Sequence, residues 1–319
     1  MMVGRVREVW RYPVKSMAGE RLEGCGAGAR GLFGDRGWAL RDDDAGEIRG
    51  AKISPKLMLC AARYRAEPTE GSTPPHADIT LPDGSQTATD ATDVNERLSE
   101  LVGRRVTLWP LRPAEDRAHY RRAMPGARLI GFLSRSRGFR RLALGTMRLA
   151  GLDAELRKDF GREPGEPLPD LSALPPELFE FTSPPGTYFD AFPIHLLTTS
   201  SLDALARLNP ASAWDARRFR PNFLIETEET VGGLAEAGWA GRRLRLGPLR
   251  LKCEMPTMRC SMTIQAQAGL PKDPRVLRTI VREAGQNLGV YASIETPGRV
   301  AAGDAAELVT AGSGDDARL

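Results

Sequence analysis

Short runs of alternating apolar and polar residues, separated by Gly, Pro and Asp, fill the first hundred positions of the chain. Alternation with a period of two is typical of half-buried β-strands. Pro82-Asp83-Gly84 indicates a turn, because Pro fixes φ and Gly accepts a positive φ. We therefore predict a β domain in this part of the chain, with strands at residues 3–14, 38–41, 57–64 and 79–81.

One short helix is predicted after these strands, over residues 93–102. Asp93 is placed to cap its first turn, and Glu96 three residues later would complete a capping box. From Arg112 to about Gly186 the periodicity is lost, so we expect a long irregular excursion or flap there. Prolines interrupt its second half at Pro164, Pro167, Pro169, Pro175, Pro176, Pro184 and Pro185.

Regular patterns return after the excursion. A buried strand is predicted at residues 194–197, followed by a helix at residues 200–208 with Ser200 as N-cap and Asp203 in its first turn. A second helix is predicted to begin at Asp273-Pro274. The remaining predicted elements are strands at residues 223–226, 243–246, 249–253, 262–265, 290–295 and 307–309.

Strands outnumber helices in this order and do not alternate with them regularly. A mostly β protein of the α+β class, with a β-barrel-like domain, fits better than a parallel doubly wound sheet. The 319 residues predict about two domains, at roughly 100 to 200 residues per domain. We place them at residues 1–112 and 113–310, with the excursion at about 113–186 inside the second. Residues 311–319 are rich in Gly, Ser and Asp, and we expect a disordered tail there.

The composition is that of a packed globular protein, with 41% hydrophobic and 27% charged residues. No apolar run approaches the roughly 20 residues that a membrane span needs. The start of the chain lacks the apolar core of a signal peptide. We therefore expect a cytoplasmic protein without a membrane span.

The net charge of +4 hides a strongly basic segment in the middle of the chain. Between Arg104 and Arg148 there are 12 Arg against only Glu115 and Asp116, a local excess of +10. This segment is either a solvated surface or an anion-binding face, for nucleic acid or for an acidic protein. No RNP, zinc-finger or helix-turn-helix signature supports nucleic acid.

The spacing of cysteines and histidines excludes several kinds of metal site. Cys25, Cys60, Cys253 and Cys260 form no C-x-x-C pair for zinc or an iron–sulfur cluster. The three histidines are far apart, so we expect no chemistry that rests on histidine. Cys260 differs from the other cysteines, because Arg259 beside it favours the thiolate, which ligates soft metals or carries sulfur. A plain buried cysteine is the alternative.

Rigid turns present two cations. Tyr12-Pro13-Val14-Lys15-Ser16 places an ammonium and a hydroxyl after a strand end, and Gly34-Asp35-Arg36-Gly37 places a guanidinium between glycines. Each is either the partner of a surface carboxylate or part of a phosphate clamp. Gly26-Ala27-Gly28-Ala29-Arg30-Gly31 satisfies G-x-G-x-x-G, but no helix can follow it. We interpret it as a Gly-rich turn rather than a dinucleotide site.

Polar groups at two further positions suit a ligand as well as a structural role. Arg218-Phe219-Arg220-Pro221-Asn222 offers two cations and an amide at a strand start, and an amide suits the edge of a heterocycle. Ser200 and Ser201 lie at a predicted helix N-terminus, which favours anions. A structural turn and a capped helix are the alternatives.

Taken in order, these motifs resemble those of the MOSC family, to which the C-terminal domain of molybdenum cofactor sulfurases and the mitochondrial amidoxime-reducing components belong. The resemblance runs from about Val3 to Leu308. It implies an N-terminal MOSC-associated β-barrel domain packed on a MOSC β-barrel domain with a few helices, and molybdopterin bound in the cleft between them. The motifs are Tyr12-Pro13-Val14-Lys15-Ser16, Gly31-Leu32-Phe33-Gly34-Asp35-Arg36-Gly37-Trp38, Phe189-Asp190-Ala191-Phe192-Pro193, Arg218-Phe219-Arg220-Pro221-Asn222, Arg259-Cys260 and Gly298 to Asp304.

The resemblance also implies roles for individual residues. Cys260 falls on the position of the molybdenum ligand or sulfur carrier, and Asp190 on that of a candidate proton donor. Lys15, Ser16 and Arg36 fall on positions that hold the cofactor, near its phosphate. The other cofactor-binding positions are Thr198, Ser200, Ser201, Arg220, Asn222, Arg259 and Tyr291.

The function implied by the resemblance is a molybdenum-cofactor oxidoreductase that reduces N-oxygenated compounds, such as N-hydroxylated amines or amidoximes. The chain carries no iron–sulfur, flavin or nicotinamide signature, so a separate donor, ferredoxin-like or a flavin or haem reductase, would supply electrons. The basic segment is a candidate docking face for an acidic donor. One alternative is a carrier without redox turnover, with a persulfide or the cofactor on Cys260. Another is a binding module with a degenerate site. We expect a stand-alone MOSC protein.

Overall fold

The computed structural model describes residues 1–141 and 153–309. Strands outnumber helices in these ranges, which confirms the mostly β, α+β class. The strands are β1 Met2–Arg11, β2 Glu20–Leu22, β3 Gly24–Gly28, β4 Gly31–Leu32, β5 Trp38–Asp42, β6 Glu47–Ile48, β7 Ala61–Tyr64, β8 Ala77–Thr80, β9 Gln86–Ala88, β10 Val106–Pro110, β11 Ile194–Thr198, β12 Phe223–Thr227, β13 Arg243–Leu246, β14 Leu249–Met258, β15 Asn287–Thr296, β16 Gly298–Ala301 and β17 Ala305–Val309. The helices are α1 Val94–Val102, α2 Arg117–Tyr120, α3 Ala127–Leu133, α4 Asp153–Phe160, α5 Thr199–Leu208 and α6 Pro274–Glu283.

A closed β-barrel forms the larger part of the structure. Its strands follow the order β12, β11, β15, β14, β13, β17 and β1, and the ring closes because β1 also pairs antiparallel with β12. Alternate residues of each strand point inward. Val6, Leu244, Leu251 and Val290 fill the interior and are at most 1% exposed. Closure leaves these strands without free edges, apart from the short β2 that extends from β1.

The N-terminal strand is built into this barrel with strands from the end of the chain. β3 likewise pairs with β16, with Gly26 opposite Arg299. Strands β5 to β10 form two further sheets, β10-β5-β6 and β7-β8-β9. Trp38, Leu57 and Ile79 belong to the second hydrophobic core, which lies with these sheets. The domain boundary at residue 112 stays a prediction, since β1 pairs with β12 and β17, which lie after that boundary in the chain.

Two predicted helices are present with different caps. α1 occupies its predicted residues, but the Asp93 side chain makes no capping hydrogen bond. α5 begins at Thr199, and its N-cap is Thr198, whose hydroxyl accepts a hydrogen bond from the Ser201 amide. Ser200 is therefore inside the first turn, and the prediction that it caps the helix is wrong.

The segment after Cys260 was predicted as a strand and is a 3-10 helix, Ser261–Ile264. The Thr263 amide and hydroxyl both donate to the Cys260 carbonyl, at 3.1 and 3.0 Å, which closes a turn where a strand would have stayed extended. Other 3-10 helices lie at Pro55–Leu59, Leu171–Ala173, Pro176–Phe179, Ala216–Arg218 and Ala235–Trp239.

In its described part, the excursion contains short helices and turns. α2, α3 and α4 lie here, none longer than eight residues. The predicted tail at residues 311–319 lies outside the described residues. The G-x-G-x-x-G run forms the β3–β4 hairpin, as its interpretation as a turn required. Among the described helices, none has the length and apolarity to cross a bilayer.

Candidate functional site

A cleft with about 700 Å³ of empty space, including the solvent at its mouth, lies where the N-terminal turns meet the barrel strands. Residues from six stretches of the chain converge on it. The cleft brings together these predicted site residues: Lys15, Ser16, Arg36, Asp190, Arg220, Asn222, Arg259, Cys260 and Tyr291. Apolar side chains complete its lining, among them Phe189, Phe192, Phe219, Met258 and Met262.

The turn after β1 directs Lys15 into the cleft. The Lys15 amide donates to the Trp38 carbonyl at 2.8 Å, and Ser16 has a φ of 74°, so the turn is tightly bent. Lys15 Nζ donates to Asp190 Oδ1 at 2.6 Å and to the Tyr188 carbonyl at 2.7 Å. The Ser16 hydroxyl accepts from the Ala51 amide at 2.9 Å. This ammonium is therefore oriented by partners from the second half of the chain.

Two guanidiniums lie against one aromatic ring. Arg36 and Arg220 lie 5.1 and 4.2 Å from the centroid of the Tyr12 ring, and both have a positive φ. Arg36 is also paired with Asp35. Arg220 Nη1 donates to the Met17 carbonyl, whereas Arg220 Nη2 is buried and has no hydrogen-bond partner. Burial lowers the pKa of Arg220 to about 10, since the charged form loses its hydration.

Arg259 is buried beside the candidate thiol and binds no carboxylate among the described residues. It donates to the carbonyls of Phe219 and Leu288 and to His195 Nε2. Burial lowers the pKa of Arg259 to about 10. Burial and the Arg259 charge hold the pKa of His195 well below its usual value. His195 is thus neutral, with Nε2 as acceptor and Nδ1 facing the Arg220 carbonyl at 3.3 Å.

His195 lies in this site, although the sequence led us to expect no chemistry that rests on histidine. It lines the cleft and links the Arg220 backbone to the Arg259 side chain. The signal in the sequence was a polar residue between the apolar Ile194 and Leu196 of β11. A single histidine carries no recognisable motif, so spacing alone could not identify it.

The charges in the cleft do not balance. Lys15 and Arg36 are paired with Asp190 and Asp35, but Arg220 and Arg259 have no carboxylate partner within residues 1–141 and 153–309. A buried, unpaired charge is unfavourable unless another group compensates it. The arrangement therefore favours an anionic ligand with several acceptor atoms, and the free Arg220 Nη2 indicates where one would bind.

Cys260 is the one cysteine with access to this cleft. It is half-buried, whereas Cys25, Cys60 and Cys253 are buried. Burial raises the pKa of Cys25 to about 11 and those of Cys60 and Cys253 to about 12, so these three thiols stay protonated and unreactive at neutral pH. No three His, Cys, Asp or Glu side chains of the described residues converge on a metal site.

Asp190 is ionised in this arrangement. Burial raises its pKa, but the charges of Lys15 and Arg36 outweigh that effect and hold the pKa well below its usual value. An ionised carboxylate accepts protons, so the predicted proton donor would first have to take one up. Asn222 also lines the cleft, but its Oδ1 accepts from the His195 amide and its Nδ2 donates to Asp35, so both ends of the amide already have partners.

Thr198, Ser200 and Ser201, which were predicted to bind the cofactor, do not line the cleft. The Thr198 and Ser201 hydroxyls both donate to Glu236 Oε2 at 2.5 Å, and Ser200 contacts Thr198. Glu236 is 1% exposed, and its Oε1 accepts from the Gly289 amide at 3.1 Å. Burial raises the pKa of Glu236. These hydroxyls satisfy an internal carboxyl group, which turns them away from the cleft.

Much of the described basic segment is paired or buried. Salt bridges join Arg104 to Asp42, Arg105 to Asp44, Arg112 to Asp116, and Arg117 and Arg121 to Glu180. Arg140 is 8% exposed and donates to the carbonyls of Ser134 and Ser172, so it is not part of a free surface. Arg135, Arg137 and Arg141 are exposed. The unpaired positive charge that this segment presents at the surface is therefore smaller than the excess of +10 counted from its sequence.

The fold and the site define a β-barrel protein whose cleft combines one accessible thiol with several cations. Comparison with known families matches residues 3–107 to the MOSC N-terminal beta barrel domain and residues 184–307 to the MOSC domain. The chain belongs to the MOSC family, which is associated with the binding of the molybdenum cofactor. Residues 108–183 lie outside both matches.

The solved structures to which the chain is similar are distant from it in sequence. The YUAD protein from Bacillus subtilis is 12% identical, with 96% of each chain covered and a TM-score of 0.40. YiiM from Geobacillus stearothermophilus is 18% identical, with 39% of this chain and 57% of that chain covered and a TM-score of 0.29. YiiM from Escherichia coli is 19% identical, with 40% and 59% covered and a TM-score of 0.28. No curated protein matches the chain.

Proposed function

We propose that this chain binds the molybdenum cofactor in the cleft and is an oxidoreductase that reduces N-oxygenated compounds with electrons from a separate protein. One observation carries the proposal: the half-buried thiol of Cys260 opens into the same cleft as the buried guanidiniums of Arg220 and Arg259, which pair with no carboxylate of the described residues. A ligand with a soft metal and an anionic group needs both features.

The residues present fit such a group. Arg220 Nη2 is a buried donor without a partner, and a phosphate or a pterin oxygen would satisfy it. The Cys260 thiolate is a ligand of the kind that soft metals prefer. When bound, the cofactor would supply a metal centre that accepts electrons and exchanges oxygen with the substrate. The protein would supply the pocket, the charges and the thiolate.

Each residue of the cleft then has a physical task. Cys260 would hold the metal, while Lys15, Arg36 and Arg220 would compensate the anionic part of the cofactor. Asp190 keeps Lys15 oriented, and it would donate a proton only after taking one up from a group in the cleft. Phe189 and Phe192, together with Met258 and Met262, line the cleft with apolar surface and restrict the entry of water.

Electrons would come from an acidic redox protein. Arg135, Arg137 and Arg141 are exposed arginines of the predicted docking segment that lie close together in the sequence. Complementary charge raises the rate at which such a donor meets the protein. Nucleic acid is the competing anion, and the same surface would bind it with a steep dependence on salt.

The test is the metal and pterin content of protein made in a host that produces the cofactor. We expect about one molybdenum and one pterin per chain, and reduction of benzamidoxime with a chemical electron donor. Cys260→Ala should lose turnover and the thiolate-to-molybdenum absorption, whereas the buried-thiol control Cys60→Ala should keep both. Equal behaviour of the two variants would contradict the proposal. Bound cofactor without turnover would favour a carrier. A protein that contains neither metal nor pterin would favour a binding module with a degenerate site.

A further inference from the structure

The backbone around Cys260 is held by a segment that lies outside both matched domains. This segment, residues 153–166, consists of α4 and the turn after it, and we call it the strap. Arg162 Nη2 of the strap donates to the Arg259 carbonyl at 2.9 Å. The Ser261 hydroxyl donates to the strap carbonyl of Asp159 at 3.0 Å. Both chain neighbours of Cys260 are therefore tied to the strap.

Arg162 makes the larger part of this connection. Its side chain is 5% exposed, and it also donates to Gln286 Oε1 at 3.1 Å and to the Phe160 carbonyl at 2.7 Å. The Gln286 carbonyl in turn accepts from the Arg259 amide at 3.0 Å. One planar guanidinium thus joins the strap, the loop of Cys260 and the turn before β15. A guanidinium can reach three acceptors in fixed directions, which an ammonium cannot reproduce.

The strap is itself anchored on two sides. Arg278 of α6 donates to the Gly161 carbonyl and to Glu166. Gly161 has a φ of +63°, and a Cβ there would lie 2.9 Å from Leu277 Cδ2, so the close approach to α6 requires glycine. On the other side, Lys52 Nζ lies 4.5 Å from the centroid of the Phe160 ring. Lys52 follows Ala51, whose amide holds Ser16 of the cleft.

We infer that Arg162 is a positioning residue that fixes the Arg259–Ser261 backbone and so keeps the Cys260 thiol in the cleft. Without Arg162, the buried Arg259 carbonyl would lose this donor, and local opening of the loop would become easier. The inference rests on the proposed function in one respect only, that Cys260 is the thiol that would hold the metal. The geometry that carries it belongs to the protein without any ligand.

Hydrogen exchange of the metal-free, full-length protein measures this positioning directly. The reporters are the amides of Arg259 and Thr263, which bond to Gln286 and Cys260. In Arg162→Met, which keeps an apolar side chain but no donor, their exchange should become roughly ten- to hundredfold faster. Arg162→Lys should recover part of the protection. Arg282→Gln, which removes a charge from the exposed face of α6, should exchange like wild type.

Loaded protein supplies a second readout. Arg162→Met should retain pterin through the cations of the cleft but show weakened thiolate-to-molybdenum absorption, which a general loss of stability would not produce. Should Arg162→Met fail to fold, Ser261→Ala removes only the bond to Asp159 and should still speed exchange of the Thr263 amide severalfold. Wild-type exchange in whichever of these two variants folds would overturn the inference. If the variants exchange faster but the wild-type protein binds no molybdenum, the positioning role of Arg162 is supported and the proposed function is rejected.

Discussion

Lys15 Nζ lies 2.6 Å from Asp190 Oδ1, although 175 residues separate the two in the chain. The pair joins the turn after β1 to the turn before β11, so Asp190 balances the charge of Lys15. Arg220 and Arg259 pair with no carboxylate in the described part of the chain, and the cleft keeps an excess of positive charge.

The pair should make stability depend on pH in the acid range. Because the folded pKa of Asp190 is lowered, its contribution is complete above the usual Asp pKa of about 3.9 and is lost as the pH falls through the folded value. The carboxylate is 63% exposed, so this contribution should be about 1 kcal/mol or less. Urea unfolding between roughly pH 2 and pH 5 should show a smaller loss for Asp190→Asn than for wild type. Asp203→Asn, at an exposed site on α5, is the control. Parallel pH curves for wild type and Asp190→Asn would refute this prediction.

Cofactor retention should depend on the cations of the cleft. Lys15→Ala and Arg220→Ala each remove a charged donor, and such a contact contributes roughly 1.5 to 3 kcal/mol, or about ten- to hundredfold in affinity. The pterin that remains after extended dialysis measures the effect. Arg30→Ala removes an exposed arginine that does not line the cleft, and this control should leave cofactor retention unchanged. Undiminished cofactor in both cleft variants would mean that the anion binds elsewhere.

Glu236 should matter for stability. Glu236→Ala leaves the Thr198 and Ser201 hydroxyls and the Gly289 amide without their buried acceptor. We expect a loss of at least about 2 kcal/mol in the free energy of unfolding, measured with urea. Glu229→Ala, at an exposed position, should change it by less than about 0.5 kcal/mol. A stability equal to wild type in Glu236→Ala would show that these bonds contribute little.

Ser200 tests whether the cofactor binds beyond the residues that line the cleft. Its hydroxyl lies 3.2 Å from the Thr198 hydroxyl and does not line the cleft. Ser200→Ala should therefore keep full pterin and molybdenum content. A clear loss of cofactor in a folded Ser200→Ala protein would restore the serine to the binding site.

The docking surface can be tested by charge reversal. The triple variant Arg135→Glu, Arg137→Glu and Arg141→Glu should slow turnover with a protein donor, most at low salt, because screening already weakens steering at high salt. Turnover with a small chemical reductant should not change. Reversal of the exposed Arg207, Arg282 and Arg299 alters the net charge equally and is the matched control. Donor-dependent rates that survive at low salt, with loss of nucleic-acid binding, would assign this surface to nucleic acid.

Local features of the sequence determined much of this protein. Period-two alternation predicted the strands, and the turn chemistry around Lys15 and Arg36 predicted cations at rigid strand ends, because both depend on residues close together in the chain. Cys260 could be separated from the other cysteines by its neighbour Arg259. These features were enough for the mostly β class and for most of the residues that line the cleft.

Tertiary structure alone decided which distant partners each polar group meets. Glu236 draws Thr198 and Ser201 away from the cleft, and the Ser134 and Ser172 carbonyls bury Arg140. Arg162 reaches the loop of Cys260 from 98 residues away in the sequence, with no motif to announce it. A hydrogen-bonding side chain has the same local pattern whether it binds a ligand or a buried carboxyl group. Long-range packing of the barrel decides which of the two partners the side chain meets. It does so because it brings a particular acceptor within hydrogen-bonding distance and excludes the water that would otherwise take its place.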